Sequence, residues 1–412
     1  MAIQSIAIIC SLDTKYAEVC YVAEYILAAG YKPFFIDLSI LDRGRYPADI
    51  RIDDILHEAG VNADDTSRYS KSDWVSSVRN GLAALLPKLY ARGAFRGAIA
   101  LGGLQNTIMA TGGLRELPLG VPKVMLSTVA SGTRQIDPFV GTKDVTLMHS
   151  VVDLSGVNPV TEIVMGNAVS AVIGMLNHSN KTISDVDEPL VGVTTMGVIG
   201  RCAAEVITRI KQAGYHVVAF HTTGKGGKAM EEMIETGKIS AVMELSLHEL
   251  VCNDIVFGGF AMGAPNRLCA AVDNGTPMLV TPGGVDFIDY TAEEFENGAC
   301  GGPKGGRKFI YHNANVVHIK LDPKTASHAA QLIAERLNRS SAPVTMLLPL
   351  RGFRTDTEIG EALYDHQTDA AIIDTFREKL TSKIRLVEVD ANFNDDAFID
   401  AVEREMLMLL RR

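Results

Sequence analysis

The strongest constraint on the fold is a strand-helix-strand pattern within the first 37 residues. Residues 3–9 are almost continuously apolar, as is typical of a parallel strand covered on both faces. Residues 16–29 carry Val, Ile and Leu at helical spacing, and Gly30 follows as a helix C-cap. Residues 31–36 form a second apolar run that ends at Asp37. This order predicts a β-α-β unit, and therefore a parallel sheet.

The same pattern recurs in the second half of the chain. Ala29-Gly30-Tyr31 reappears as Ala213-Gly214-Tyr215, at an offset of 184 residues (213 − 29). Either a duplicated domain or two independent Rossmann-type openings would explain such a repeat. The polar residues 178–189 separate the two halves. We therefore predict an α/β protein of two Rossmann-like parallel-sheet domains, residues 1–180 and residues 190–412, with a cleft between them.

Composition narrows the class of protein. The chain has 39 Lys and Arg against 49 Asp and Glu, a formal net charge of −10. Because non-specific nucleic-acid binding requires a basic face, nucleic acid is not an expected partner. We find no run of about 18 uncharged apolar residues, and so expect no membrane span. The six cysteines form no C-x-x-C pair, and we expect a cytoplasmic protein without a zinc ribbon.

Open parallel sheets bind ligands beyond the carboxyl ends of their strands, and this rule selects candidate loops. In the first half the loops are residues 11–15, 102–107 and 127–132. Free amides at a helix start favour a phosphate, to which Lys15 would add a positive charge. Asp13 would hold a metal ion or a ribose hydroxyl. The alternative is structural, with Asp13 capping the helix and the other loops serving only as tight turns.

In the second half, the glycine-rich loop of residues 221–228 is the strongest local signal. Gly224, Gly226 and Ala229 satisfy G-x-G-x-x-A between an apolar run and a helix. The loop lacks the Ser or Thr that a P-loop places after its Lys, and so predicts a general anion site; the alternative is a structural glycine turn. The residues of this predicted anion site are Thr195, Thr223, Gly224, Gly226, Gly227 and Lys228.

His221 and Glu244 are the candidate catalytic residues. His221 ends a predicted strand, and its imidazole titrates near neutrality, as a general base requires. Glu244 ends the apolar run 241–243 at the same edge of the sheet, where it would pair with His221 or hold a metal ion. The alternative for a single His is a structural role.

Five segments, in order, resemble those of a known family. They are SLDTK, GVPKVMLSTVASG, DVTLMHSVVDLSGVN, FHTTGKGGKAM and GRKFIYHN. The chain is thereby identified as a member of the Tm-1-like ATP-binding domain family, UPF0261, over nearly its whole length. The resemblance implies two Rossmann-like subdomains and a homodimer or higher homo-oligomer.

The resemblance further implies that the first domain binds ATP, with Mg²⁺ as its companion ion. The implied nucleotide contacts are Asp13, Thr14, Lys15, Gly102, Gly103, Thr128, Ala130, Ser131 and Gly132. Family members usually have a longer glycine-rich stretch after Gly103, where this chain has Leu104, Gln105 and Asn106. These bulkier side chains would leave less room for a phosphate, so the other expected ligand is a related phosphorylated or anionic small molecule.

Three functions fit these observations. The first is an enzyme of small-molecule metabolism, with His221 or Glu244 in proton transfer. The second is a non-catalytic, nucleotide-regulated binding or inhibitory protein, by analogy with the tomato virus-resistance protein for which the family is named. The third is a nicotinamide oxidoreductase, suggested by the G-x-G-x-x-A pattern alone.

Overall fold

The computed structural model describes residues 4–62, 69–132, 136–178 and 181–411. Its chain divides into two compact units, of which the N-terminal unit ends at Asp187 and the C-terminal unit begins at Glu188. Each unit contains one wholly parallel sheet with helices. The predicted fold class, α/β with a Rossmann-like parallel sheet in each half, is confirmed.

The N-terminal unit has a five-stranded sheet in the order β2-β1-β3-β4-β5. Its strands are β1 (Ser5–Cys10), β2 (Lys32–Asp37), β3 (Gly97–Gly102), β4 (Lys123–Ser127) and β5 (Thr146–His149). Its helices are α1 (Leu12–Ala28), α2 (Ile52–Glu58), α3 (Lys71–Ala91), α4 (Leu104–Leu114), α5 (Asp137–Val140) and α6 (Pro159–His178).

Both faces of this sheet are buried, which explains why its strands are apolar at nearly every position. Along β1, Ala7 and Ile9 pack against one hydrophobic cluster, formed with α2, α3 and α4. Ile6 and Ile8 pack against another, formed with α1 and α6. Successive side chains of a strand point to opposite faces, so one short run supplies both clusters.

Helix α6 is long and apolar enough to cross a membrane by length and composition, and it is the one such helix among the residues described. Its buried side chains include Met165, Val169 and Val172, which pack in the core of the N-terminal unit. Core helices of globular proteins pass the same test, so α6 is weak evidence for a membrane span.

The C-terminal unit has a six-stranded parallel sheet in the order β14-β13-β9-β8-β6-β7, and a three-stranded antiparallel sheet in the order β10-β12-β11. Its strands are β6 (Leu190–Thr195), β7 (His216–His221), β8 (Ile239–Glu244), β9 (Met278–Val280), β10 (Phe287–Thr291), β11 (Phe309–Tyr311), β12 (Val316–Lys320), β13 (Val344–Pro349) and β14 (Arg385–Val389).

The helices of the C-terminal unit pack against both of its sheets. They are α7 (Gly200–Gln212), α8 (Gly226–Glu235), α9 (His248–Leu250), α10 (Cys269–Asp273), α11 (Ala292–Glu296), α12 (Pro323–Asn338), α13 (His366–Lys379) and α14 (Asp396–Leu410). Helix α9 continues directly into a π-helix, Val251–Val256.

The repeat seen in the sequence corresponds to a repeat of topology. In both parallel sheets the second strand lies at one edge, followed by the first, third and fourth strands. The offset of 184 residues places β2 (Lys32–Asp37) on β7 (His216–His221) residue for residue. The small antiparallel sheet has no counterpart in the N-terminal unit as far as that unit is described.

Candidate functional site

A pocket of about 520 Å³ lies at the carboxyl ends of β1 and β3 in the N-terminal unit. Pockets of roughly 300–1,000 Å³ are the usual size of small-molecule sites. It brings together four of the implied nucleotide contacts, Asp13, Thr14, Lys15 and Gly103. The other lining residues are Ser11, Ile40, Leu41, Lys71, Trp74, Leu104, Gln105 and Asn106.

The N-terminus of α1, one of two helix starts at this pocket, is capped from within the protein. The amide of Leu12 donates to Asp37 Oδ1 at 3.1 Å, and the amide of Asp13 donates to Ser39 Oγ at 2.8 Å. Asp37 and Ser39 both belong to the chain segment at the end of β2. These amides are therefore not open to a phosphate.

The side chain of Asp13 does not cap α1, the structural role that the sequence left open for it. Its Oδ2 accepts the amides of Leu41 and Asp42, at 3.2 and 3.4 Å. Its Oδ1 is buried and has no hydrogen-bond partner in the described part of the chain. Asp13 is therefore held in place through one oxygen, while the other can accept a hydroxyl or a cation.

The N-terminus of α4 is open as far as the chain is described. Its N-cap, Gly103, has no side chain, and the first amide after it that has an acceptor there is that of Thr107, which donates to the Gly103 carbonyl at 2.9 Å. Amides in the first turn of a helix have no intrahelical acceptor, so those of Leu104 and Gln105 remain for a ligand or water. The helix dipole adds a partial positive charge there.

Asn106 takes up less of the pocket than its size suggests. It is 7% exposed, and its Oδ1 accepts the Ser11 hydroxyl at 2.6 Å. Its Nδ2 donates to the Leu101 carbonyl at 3.4 Å. Asn106 thus ties α4 to the ends of β1 and β3, and of the three residues expected to crowd a phosphate, only Leu104 is exposed.

Of the five other implied nucleotide contacts, Gly102 ends β3 and four lie in the loop after β4, and none of the five lines this pocket where the chain is described. The amide of Thr128 donates to the Gly102 carbonyl at 3.2 Å, which places the start of the loop beside β3. Ser131 Oγ lies 3.1 Å from Nε2 of His149, the last residue of β5. The roles predicted for Thr128, Ala130, Ser131 and Gly132 stay predictions.

In the C-terminal unit, the glycine-rich loop already holds an anion. The amides of Gly224 and Gly227 donate to Glu249 Oε1, at 2.8 and 3.2 Å. A Cβ on Gly227 would lie 1.8 Å from Glu249 Oε2, so only glycine allows this approach. Two amides of the predicted anion site are thus occupied by a carboxylate of the protein itself.

Glu249 belongs to a buried group that we call the Arg267 cluster: Glu231, Glu244, Glu249 and Arg267. Both Nη atoms of Arg267 donate to Glu244 Oε1, at 3.2 and 2.6 Å. Its Nε lies 3.3 Å from Glu249 Oε2, and its Nη1 lies 3.7 Å from Glu231 Oε1. Burial raises the pKa of Glu244 to about 7, although Arg267 opposes the rise.

The expected pair of Glu244 and His221 is not formed among the described contacts. Glu244 bonds to Arg267 and to the hydroxyl of Thr194, which donates to Oε2 at 2.9 Å. His221 ends β7 as predicted, but its side chain is exposed. Glu244 therefore acts in the structure as a partner of Arg267, and the catalytic roles of both residues stay predictions.

The other predicted anion-site residues lie around the same loop. Thr195 Oγ1 donates to the Phe220 carbonyl at 3.5 Å, and Gly226 begins α8. Thr223 and Lys228 are exposed. Thr223, Gly224, Gly226, Gly227 and Lys228 thus share one loop, Thr195 ends the neighbouring strand β6, and the Glu249 carboxylate accepts two amides of the loop.

A second buried group joins β12 of the small antiparallel sheet to α13. Lys320 Nζ donates to Asp286 Oδ2 and Asp369 Oδ1, at 2.8 and 2.7 Å. The Arg354 guanidinium lies 3.9 Å from the ring centroid of Phe287 and is fully buried. These charges compensate one another within the core, which is the condition for burying them.

Two buried histidines border this group and differ in charge. Burial, with help from the neighbouring Arg354, lowers the pKa of His318 to about 3, so this imidazole is neutral. Burial also opposes a charge on His248, but Cys252 and Asp289 outweigh it and hold the pKa of His248 well above its usual value. His248 Nε2 lies 2.9 Å from Asp289 Oδ1 and 3.6 Å from Cys252 Sγ.

Two family models match the chain. The description "Uncharacterised protein family (UPF0261) N-terminal domain" matches residues 4–181, and the corresponding C-terminal domain matches residues 188–410. The chain belongs to the UPF0261 family. The resemblance predicted from the sequence is therefore confirmed as membership of UPF0261, whose models name no activity or ligand.

Individual UPF0261 relatives agree with this assignment. A UPF0261 protein of Clostridium tetani is 31% identical over 99% of this chain and 100% of its own length. The ToMV susceptible protein tm-1(GCR26) of Solanum lycopersicum is 32% identical over 72% of this chain, but over only 39% of its own length. Among solved structures, the chain aligns with a UDP-N-acetylglucosamine 2-epimerase of Rickettsia bellii over 99% of this chain and 96% of the epimerase chain, at 10% identity and a TM-score of 0.25. A similarity this low supports no functional argument.

Several residues that build these sites in the UPF0261 chain were not predicted as site residues. Glu249 and Arg267 follow the glycine loop by more than twenty positions, and neither belongs to a motif with a fixed spacing. Lys71 and Trp74 reach the pocket from the start of α3, far along the chain from β1. The sequence does hold one signal for Glu249. This residue lies among the apolar residues Leu247, Leu250 and Val251, and a charge buried in such a segment needs a partner.

Proposed function

We propose that the pocket of the N-terminal unit binds a phosphorylated nucleotide of the ATP class together with Mg²⁺. The open N-terminus of α4 is the observation that carries this proposal. It faces the same pocket as Lys15 and Lys71, so amide donors, a helix dipole and two ammonium groups surround one space. This combination favours a multiply charged anion such as a triphosphate.

The remaining pocket residues fit the other parts of a nucleotide. Ile40, Leu41 and the Trp74 ring supply apolar surface for a base. Asp13, with its unpartnered Oδ1, is suited to a Mg²⁺ ion bound to the phosphates or to a ribose hydroxyl. The side chains named for the base, the ribose and the ion all lie on the wall of the pocket.

The pocket favours binding over chemistry in this unit. Asp13 is the only acidic side chain among the described lining residues, and no histidine or cysteine lines the pocket there. General acid-base catalysis needs a group that gains or loses a proton near the working pH. We therefore favour a nucleotide-binding role, with or without a catalytic role for the C-terminal unit.

Isothermal titration calorimetry with ATP, with and without Mg²⁺, tests the proposal. Lys15→Ala and Lys71→Ala should each weaken binding by about ten- to a hundredfold, because a hydrogen bond to a charged group contributes about 1.5–3 kcal/mol. Asp13→Asn should reduce the gain in affinity that Mg²⁺ confers. Lys32→Ala is the matched control, since Lys32 lies at the amino end of β2, whereas the pocket lies at the carboxyl ends of the strands.

Two results would overturn the proposal. One is the absence of binding heat for ATP and ADP under every Mg²⁺ condition. The other is equal weakening by Lys15→Ala and by the control Lys32→Ala, which would indicate attraction to general surface charge and not to this pocket.

A further inference from the structure

We propose that His248, Cys252 and Asp289 form a binding site for a divalent transition-metal ion of the Zn²⁺ class in the C-terminal unit. Their ligand atoms, His248 Nε2, Cys252 Sγ and an Asp289 carboxylate oxygen, all lie within 4.8 Å of one another. The three side chains are buried. The site is separate from the nucleotide pocket proposed for the N-terminal unit.

The distances suit a tetrahedral ion. With Zn–N of about 2.0–2.1 Å and Zn–S of about 2.3 Å, tetrahedral angles place nitrogen and sulfur roughly 3.5 Å apart. The observed separation of His248 Nε2 and Cys252 Sγ is 3.6 Å. The separation of Nε2 and Asp289 Oδ1 is 2.9 Å, so the carboxylate would move outward by roughly half an ångström on binding.

The donor set selects the class of metal. Zn²⁺ accepts nitrogen, sulfur and oxygen ligands together, whereas Mg²⁺ and Ca²⁺ take oxygen ligands almost alone. His248 and Cys252 are four residues apart in one helical segment, which places both on the same face. Asp289 comes from β10, so the ion would join the helical segment to the small antiparallel sheet.

Groups around the three ligands already orient them for a metal. His248 Nδ1 lies 2.9 Å from the Gly284 carbonyl, which can only accept, so Nδ1 carries a proton and Nε2 is the atom directed at the site. Metal-binding histidines typically hold their second nitrogen in this way. Phe287 stacks on the imidazole at 4.3 Å, and the Phe260 amide donates to Asp289 Oδ1 at 3.3 Å.

The π-helix gives the second, independent indication. Cys252 lies in the π-helical turn Val251–Val256, which ends at Phe257 in a left-handed conformation with φ of 55°. π-Helical turns are rare in proteins. Those that occur are frequently found at functional sites. A simple ion pair of His248 and Asp289 would need neither this turn nor a sulfur atom facing Nε2.

The metal would compete with the proton on His248 Nε2. In the metal-free protein, both nitrogens of His248 face acceptors, the Gly284 carbonyl and the Asp289 carboxylate. Binding replaces the Nε2 proton and ionises the Cys252 thiol, so two protons leave as one divalent cation enters. Three protein ligands leave a fourth tetrahedral position for water, as in catalytic zinc sites.

Metal uptake by the full chain tests the proposal. Purified protein is stripped with a chelator, dialysed against Zn²⁺ or Co²⁺, and assayed by elemental analysis and absorption spectroscopy. We expect one bound ion per chain and a thiolate-to-cobalt charge-transfer band in the near ultraviolet. Cys252→Ser should abolish the band. The controls are Cys269→Ser and Cys300→Ser, which change partly exposed cysteines of the same unit and should keep the band.

X-ray absorption spectroscopy of the zinc-loaded wild type keeps the test decisive if Cys252→Ser fails to fold. One sulfur neighbour at about 2.3 Å and nitrogen or oxygen neighbours at about 2.0–2.1 Å are expected. Coordination without sulfur, no stoichiometric uptake of either metal, or loss of the cobalt band in a control variant would each overturn the proposal.

Discussion

Replacing Glu244 by Gln tests whether the Arg267 cluster holds a proton near neutral pH. Fully ionised, its three carboxylates and one guanidinium would carry a net charge of −2 (1 − 3) in the core. Burial raises the pKa of Glu244 to about 7 from its ordinary 4.5, with the neighbouring Glu231 and Glu249 adding to the rise. Glu244→Gln keeps the shape of the protonated side chain and removes its titration.

The linkage between protonation and folding gives the sign and the size of the effect. The folded chain binds the Glu244 proton more tightly than the unfolded chain, so this stabilisation is complete below pH 4.5 and is lost as the pH rises through 7. At 1.36 kcal/mol for each pH unit, the loss is about 3 kcal/mol. The free energy of unfolding of Glu244→Gln, relative to wild type, should therefore rise by about 3 kcal/mol between pH 4.5 and pH 8.

Urea unfolding at several pH values measures this difference. Circular dichroism follows both units, while fluorescence of Trp74, the single tryptophan, follows the N-terminal unit and should be unaffected. Glu235→Gln, at the exposed end of α8, is the matched control and should run parallel to wild type. Parallel curves for Glu244→Gln would show that Arg267 fully compensates an ionised Glu244, and would refute the reasoning.

Two further substitutions test the packing of each unit by urea unfolding. Gly227→Ala should lower the free energy of unfolding by more than about 3 kcal/mol, because the added Cβ would lie 1.8 Å from Glu249 Oε2. Its control is Gly200→Ala, whose Cβ would meet no atom within 4 Å, and which should be neutral or stabilising by up to about 1 kcal/mol. Similar values for both variants would contradict the close approach at Gly227. Lys123→Met should cost about 2–3 kcal/mol, because the buried ammonium donates to two backbone carbonyls and pairs with Asp144 at 2.6 Å. A change below about 0.5 kcal/mol would show that water replaces the lysine.

The parallel sheets were predictable because their central strands, such as β1, β3 and β8, are apolar at nearly every position. Such strands are buried on both faces, so neighbouring side chains need no polar alternation, and the run is visible without knowledge of the fold. The small antiparallel sheet was largely missed for the opposite reason. Its strands carry Asp289, His318 and Lys320, all buried, and their partners lie far along the chain.

The start of α1 shows how distant capping escapes local patterns. The segment of residues 11–15 predicts a polar loop, yet the helix begins at Leu12. The acceptors for its first amides are Asp37 at the end of β2 and Ser39 just after it, whereas the local candidates Ser11 and Asp13 do not cap the helix. Residues 102–107 were likewise predicted as a loop, yet α4 begins at Leu104, because its N-cap is a glycine without a side chain.

The glycine-rich loop shows the limit of reading a ligand from a motif. Gly224 and Gly227 predict amides that converge on an anion, and the structure has them converge on Glu249. A motif cannot state whether the anion belongs to the protein or to a ligand, because the amides are the same in both cases. The first amides of helix α4, after Gly103, are donors of the same kind, but no carboxylate of the described chain accepts them. This difference is why we propose the nucleotide site in the N-terminal unit, although the stronger motif lies in the C-terminal unit.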